Sequence, residues 1–221
     1  MLSQLQDHLT NIYRVDPGYD VNDFLITDPV IAAVLGEGSL IPETEESVLL
    51  REDEDGLALS VFLDDAMLSR LKASNPLQEL QVEQLNDLWT VLEGISHFNY
   101  IAWRARKNRH VSLLELEMQA EVDKFVSTLF LALHQEDSEL AGKLHGRLFD
   151  NVRFNPRLSR DQHQRYTMAN NYAARFCHGL RKRLSRNSRK GLQELRHFYR
   201  LSQRDKISHI HAQSYAQSYA Q

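Results

Sequence analysis

Apolar residues recur along this chain at intervals of three and four far more often than at intervals of two. Leu2, Leu5, Leu9 and Ile12 predict a short amphipathic helix over residues 2–13. A second helix is bracketed by Asp28, which can cap it, Pro29 at its first position and Gly36 at its end. One stretch changes period. Leu57, Leu59, Val61 and Leu63 alternate with Ala58, Ser60 and Phe62 and, with the Asp55-Gly56 turn, predict a β-hairpin over about 47–63. No other segment reads convincingly as strand, so two to four strands is the expected limit.

The remainder predicts helix. One runs from Asp64 or Asp65 to near Ala73, and Asn75-Pro76 opens another that ends near Arg106. Its apolar positions, among them Leu85, Leu88, Leu92, Ile95, Phe98 and Trp103, cover well over half the circumference, which predicts burial on several sides at the centre of a helical core. Ser112 and Glu115 have the spacing of a capping box, with the Glu115 carboxylate reaching back to the Ser112 N–H. The helix they open extends to about His134 with one apolar face (Leu114, Met118, Val122, Phe125, Leu129). A shorter helix carries Leu140, Leu144 and Leu148, and Asn155-Pro156 marks a connector over 151–159. A narrow seam of Tyr166, Ala169, Ala173, Phe176, Leu180 and Leu184 defines a helix over 160–184. A loop over 185–191 precedes a last helix holding Leu192, Leu195, Tyr199 and Ile207. The repeat at 212–221 has nothing to bury and is expected to be a disordered tail. The expected fold is mostly α, a multi-helix bundle with one small N-terminal β-hairpin.

Charge divides the chain. Residues 1–150 carry 11 Lys and Arg against 27 Asp and Glu, while residues 151–221 carry 15 against 3. This separates an acidic α-rich body (1–150) from a basic helical region (151–211) expected to pack on the same core. The single Cys177 excludes an internal disulfide and a Cys-rich zinc site. No basic-then-apolar leader and no apolar run of about 18 residues is visible, so a cytoplasmic chain without membrane insertion is expected.

Candidate chemistry is sparse. Arg181, Lys182, Arg183, Arg186, Arg189 and Lys190 form a dense cationic cluster, and Arg196, Arg200 and Arg204 step by four down the predicted last helix. Together they are candidate partner- or phosphate-binding residues. Asn99 projects into the apolar arc of the central helix and Asn170 flanks the later seam. With Arg153 and Asn155 they are candidates for a pocket, or else satisfied core amides. Glu93 and His97 lie one turn apart, as do Glu117 and Glu121 on the next long helix. Were those helices neighbours, a carboxylate–imidazole cluster would form, although the usual di-metal step is Glu-x-x-His, so no metal is expected. The acidic turn at 52–56 lacks the spaced oxygens of a calcium loop. Cys177 and His178 point about 100° apart, and neither a nucleophile elbow nor a Gly-rich phosphate loop is present, so no cofactor is expected. The leading functional reading is a non-enzymatic interaction or regulatory protein that docks an acidic partner protein through its basic C-terminal surface. The alternative is nucleic-acid binding by the same residues, and the third is an enzyme with an unfamiliar helical site.

Overall fold

The period-two stretch is strand and the period-3.6 stretches are helix in the computed structural model, which has nine α-helices and three strands among the described residues. The structure describes residues 1–36, 44–53, 56–150, 152 and 154–218, with backbone only at 52–53 and 214–218. Asp55 of the expected turn and Arg153 of the expected pocket therefore lie outside the described residues.

Helix α1 (Leu2–Tyr13) buries Leu2, Leu5, Leu9 and Ile12. Helix α2 (Pro29–Leu35) starts where its signals place it, the Asp28 carboxylate accepting from the Val30 N–H at 2.7 Å. The hairpin strands β2 (Glu46–Asp53) and β3 (Gly56–Leu63) pair antiparallel, from Glu46 opposite Leu63 to Asp53 opposite Gly56. A further strand, β1 (Leu25–Ile26), runs parallel to β3 on its other side, giving the order β1-β3-β2. Two residues are too few to show alternation, which is why the sequence pattern misses it.

Helix α3 (Asp65–Ala73) forms where the sequence places it, and the chain after it departs from expectation. The helix expected from Pro76 begins only at Leu85, as α4 (Leu85–Ala105), after a 3-10 turn at Val82–Gln84. Asn75 does cap a turn, its side chain accepting from the Leu77 N–H at 3.1 Å. The chain then leaves helical geometry, and the Leu80 N–H bonds to the Gln135 side chain at 2.7 Å instead of to its own turn.

Helices α4 and α5 (Leu113–His134) pack on one another, with 15 of 21 and 16 of 22 residues buried. Burial of α4 on several sides follows its wide apolar arc. Helix α5, with one predicted apolar face, is buried nearly all round because α7 and α6 cover what α4 and α1 do not. Many of its polar residues are consequently buried, and most are partnered, Ser127 Oγ being an exception. Asp123 accepts from Ser96 at 2.6 Å, from Gln119 at 2.7 Å and from the Tyr13 hydroxyl. Glu115 forms only half of the expected capping box: its N–H donates to Ser112 Oγ at 3.1 Å. Its carboxylate turns inward, accepting from the Tyr100 hydroxyl and from Arg104 at 2.5 Å each and from the Gln203 N–H at 3.1 Å.

Helices α6 (Ser138–Phe149), α7 (Arg160–Arg186), α8 (Ser188–Arg200) and α9 (Gln203–Ser218) complete the bundle. The loop expected over 185–191 shrinks to Asn187, whose side chain caps α8 by accepting from the Lys190 N–H at 3.0 Å. The reversal is tight: a Cβ on Gly191 would lie 2.6 Å from Leu184 Cδ2. The single last helix is in fact two, because Leu201 leaves helical geometry and Ser202 starts α9 by accepting from the Asp205 N–H at 3.3 Å. Of the expected tail, residues 212–218 continue the backbone of α9 and 219–221 lie outside the described residues. One hydrophobic cluster joins residues of α1, β3 and α3 through α9. No helix among the described residues is long and apolar enough to cross a membrane.

Candidate carboxylate–imidazole site

Because α4 and α5 are neighbours, Glu93 and His97 meet Glu117 and Glu121, and the cluster whose condition the sequence states is formed. The hairpin adds a fifth group. Gly94 lets it press against α4, since a Cβ there would lie 3.0 Å from Leu63 Cδ2 and 3.2 Å from Glu46 Cγ. That approach brings the Glu46 carboxylate to 3.3 Å from His97 Nδ1. Lys124, one turn beyond Glu121 on α5, lies 2.6 Å from Glu121 and 3.0 Å from Glu93. From α7, Arg165 reaches to 3.6 Å from Glu117.

His97 is the hub. It is 5 % exposed, and its Nε2 lies 3.5 Å from Glu117 Oε2, within ion-pair distance but without a hydrogen bond. His97, Glu93 and Glu117 each offer one ligand atom, and these atoms lie within 4.8 Å of one another. A neutral imidazole that donates from Nδ1 to Glu46 turns its Nε2 lone pair toward Glu117, so two acceptors face each other. A cation between them, either a proton or a metal ion, relieves that contact. The Nδ1–carboxylate pairing is also the outer-shell arrangement that orients a metal-binding histidine.

The electrostatics agree with this geometry. Burial opposes a charge on His97, but Glu117 and Glu46 outweigh it and raise its pKa well above the ordinary value. Burial raises the Glu46 pKa, only partly offset by His97. Burial likewise lifts Glu121 against the pull of Lys124. Glu93 goes the other way, because Lys124 and His97 overcome its burial and hold it below the usual carboxylate range. Burial opposes the Lys124 charge, and the two glutamates overcome it and raise its pKa. The cluster opens on a cavity of about 590 Å³ whose other walls include Val48, Leu113, Leu116, Phe154, Leu158 and Tyr166. Charged groups and apolar side chains thus line the same cavity, the usual composition of a small-ligand site.

The remaining candidates disperse. Asn155 lines this cavity. Asn99 is a buried core amide whose Oδ1 accepts from Gln6 at 2.8 Å, tying α4 to α1. Asn170 donates to the Phe149 carbonyl at 3.3 Å, away from the cavity. The arginine stripe expected on one final helix does not exist as such, since Arg204 is on α9 while Arg196 and Arg200 are on α8. Arg196 donates to the Ile12 carbonyl at 2.8 Å and Arg200 to the Tyr13 and Arg14 carbonyls at 3.1 Å, closing the C-terminus of α1. Arg181 donates to the Gly142 carbonyl at 3.0 Å, and Arg183 pairs with Glu194 at 2.5 Å. Lys182, Arg186, Arg189, Lys190 and Arg204 are exposed.

Sequence reasoning does not find Glu46, Lys124 or Arg165. Lys124 had a signal: Glu117, Glu121, Lys124 and Thr128 form a polar line at helical spacing down a helix otherwise rich in core residues. Glu46 had none, because the contact depends on where the hairpin lands on α4. In comparisons with known proteins, no family model, curated relative or solved structure matches this chain.

Proposed function

We propose that this protein binds a divalent metal ion through His97, Glu117 and Glu93 and presents it to a small molecule in the adjoining cavity. The observation that supports this most is the buried His97 Nε2, which faces the Glu117 carboxylate without forming a hydrogen bond. Ligand atoms spread over 4.8 Å must draw together to the roughly 3–3.5 Å edges of a coordination sphere with ~2.1 Å bonds, which side-chain rotation of about 1 Å supplies. One imidazole and two carboxylates favour Mn²⁺, Fe²⁺ or Zn²⁺ over Ca²⁺. Three protein ligands leave open positions toward the cavity, where the ion acts as a Lewis acid on an oxygen-bearing ligand. This reading belongs to the enzyme class rather than to the leading expectation from sequence.

The test is calorimetric titration of chelator-stripped protein with Mn²⁺ and Zn²⁺. One site per chain, weakened about 10- to 100-fold by Glu46→Gln, supports the reading. Absence of binding at millimolar metal, or unchanged binding in Glu117→Gln, overturns it. A second reading, docking of an acidic partner protein, draws on the exposed Lys182, Arg186, Arg189 and Lys190, which form no ion pair among the described residues. Capture of such a partner that survives exchange of all four for Glu would remove it.

A further inference from the structure

A different surface carries an independent signal. Where α8 lies along the end of α1, a cleft of about 760 Å³ is lined by Arg14, Arg189, Leu192, Gln193, Arg196, His197 and Arg200. Four arginines and a histidine face it, and no carboxylate does. None of the four arginines makes an ion pair among the described residues; Arg196 is half-buried and the other three are exposed, whereas the chain's remaining buried or half-buried arginines, Arg104, Arg165 and Arg183, are all ion-paired. Two of the guanidinium groups are held in place by backbone carbonyls. Arg196 uses Nε on Ile12, and Arg200 is held through Nη2 on Tyr13 and Arg14 and through Nη1 on Arg196 itself at 2.7 Å. The Ile12, Tyr13 and Arg14 carbonyls belong to the C-terminal end of α1, where the chain reverses through Arg14 in a left-handed conformation (φ 52°). Arg14 thereby leaves the helix and lines the cleft together with Arg189.

The arrangement has an electrostatic cost with no internal compensation. Burial and the neighbouring charges of Arg14 and Arg200 lower the Arg196 pKa, so the cations repel one another. Carbonyl dipoles fix the Arg196 and Arg200 guanidinium groups without neutralising them, and Arg196 Nη1 and Nη2 form no hydrogen bond among the described residues. Fixed, convergent guanidinium groups match phosphate oxygens, for which the planar fork is pre-organised. Leu192 gives the cleft an apolar patch beside the charges, and its volume is that of a small-ligand site rather than a strand-length groove.

We infer that the α1–α8 cleft binds a nucleotide-sized ligand bearing adjacent phosphate groups. Arg14 and Arg189 clasp the phosphates together with Arg196 and Arg200. This site shares no residue with the carboxylate–imidazole cavity.

The experiment is fluorescence anisotropy on the full chain with a labelled nucleoside triphosphate, the same labelled nucleoside without phosphate, and a labelled single-stranded oligonucleotide. Arg196 and Arg200 also close α1, so the variant is Arg14→Asn with Arg189→Gln, in which Asn suits the left-handed position and neither side chain has a structural partner to lose. Binding of the triphosphate but not the nucleoside is expected, weakening as salt rises from about 50 to 200 mM. The double variant should bind about tenfold more weakly or worse with an unchanged melting temperature. Equal affinity for triphosphate and nucleoside overturns the inference. So does wild-type affinity in the double variant, or binding of the oligonucleotide without the triphosphate, which would make the cleft part of a nucleic-acid path instead.

Discussion

Replacing Lys124 with Met tests whether the buried charges of the α4–α5 interface act as one unit. The methionine keeps most of the apolar stem, so the change removes the ammonium and little packing. That ammonium sits 3.0 Å from Glu93 and 2.6 Å from Glu121, on side chains only 9 %, 23 % and 17 % exposed. Breaking a buried pair by deleting one partner costs about 3–5 kcal/mol, and the partial exposure of Glu93 places this case near the lower value, about 3 kcal/mol at pH 7.5. The pH dependence fixes the sign. In the wild-type chain Glu93 is held below its ordinary value of 4.5, so its contribution is present above that pH and is lost as pH falls through the lower folded value. Without Lys124, Glu93 moves above the unfolded value and Glu121, already above it, moves further up, so the variant carries no penalty at low pH and an increasing one as pH rises. The gap between wild type and variant must therefore narrow to about 1 kcal/mol or less by pH 4.5. Urea denaturation with chelator present, at several pH values, reads this directly. A loss under about 1 kcal/mol at pH 7.5, or a loss of the same size at pH 4.5, would refute the reasoning. Because Met adds no ligand but frees two carboxylates, Mn²⁺ should stabilise the variant more than the wild type.

Two further perturbations probe the frame around the site. Lys206 is fully buried, donates to Gln119 Oε1 at 2.5 Å, and has its pKa lowered by burial from 10.5 to about 7. A depressed lysine contributes stability at high pH that is lost as pH falls through its folded value, so urea stability should climb between pH 7 and 10 by up to about 1.4 kcal/mol per unit; Lys206→Met should flatten that slope, and an unchanged slope would show that another group sets it. Gly94→Ala puts a methyl group 3.0 Å from Leu63 Cδ2 and 3.2 Å from Glu46 Cγ. It should cost about 1–3 kcal/mol and weaken metal binding by backing Glu46 away from His97, whereas a neutral change in both melting temperature and affinity would mean that the hairpin is not pressed onto α4.

The sequence shows the helices because each writes its own period, and the caps at Asp28 and Ser112 mark starts that the structure keeps. The pattern is weakest where tertiary partners take over a local signal. Pro76 opens a turn that Gln135 then diverts, and Glu115 carries a capping-box spacing but gives its carboxylate to Tyr100 and Arg104. The break at Leu201–Ser202 carries no Gly or Pro, and overlooking the Ser202 cap runs α8 into α9 and creates an arginine stripe that the fold does not have. The same division holds for the site. The spacing of Glu93 with His97 and of Glu117 with Glu121 is legible, since it lies within single helices. Their convergence is not, because it depends on α4 packing against α5, and the Glu46 contact depends further on a close approach that Gly94 permits without advertising it.

The claim on which the account turns is that His97 offers its Nε2 to a metal ion. Pulsed electron paramagnetic resonance of the Mn²⁺-loaded protein measures this directly, since a coordinated imidazole nitrogen modulates the echo. The account predicts modulation from one histidine nitrogen in the wild-type chain and its disappearance in His97→Gln. Bound Mn²⁺ with no nitrogen modulation, or modulation that persists in His97→Gln, would contradict it.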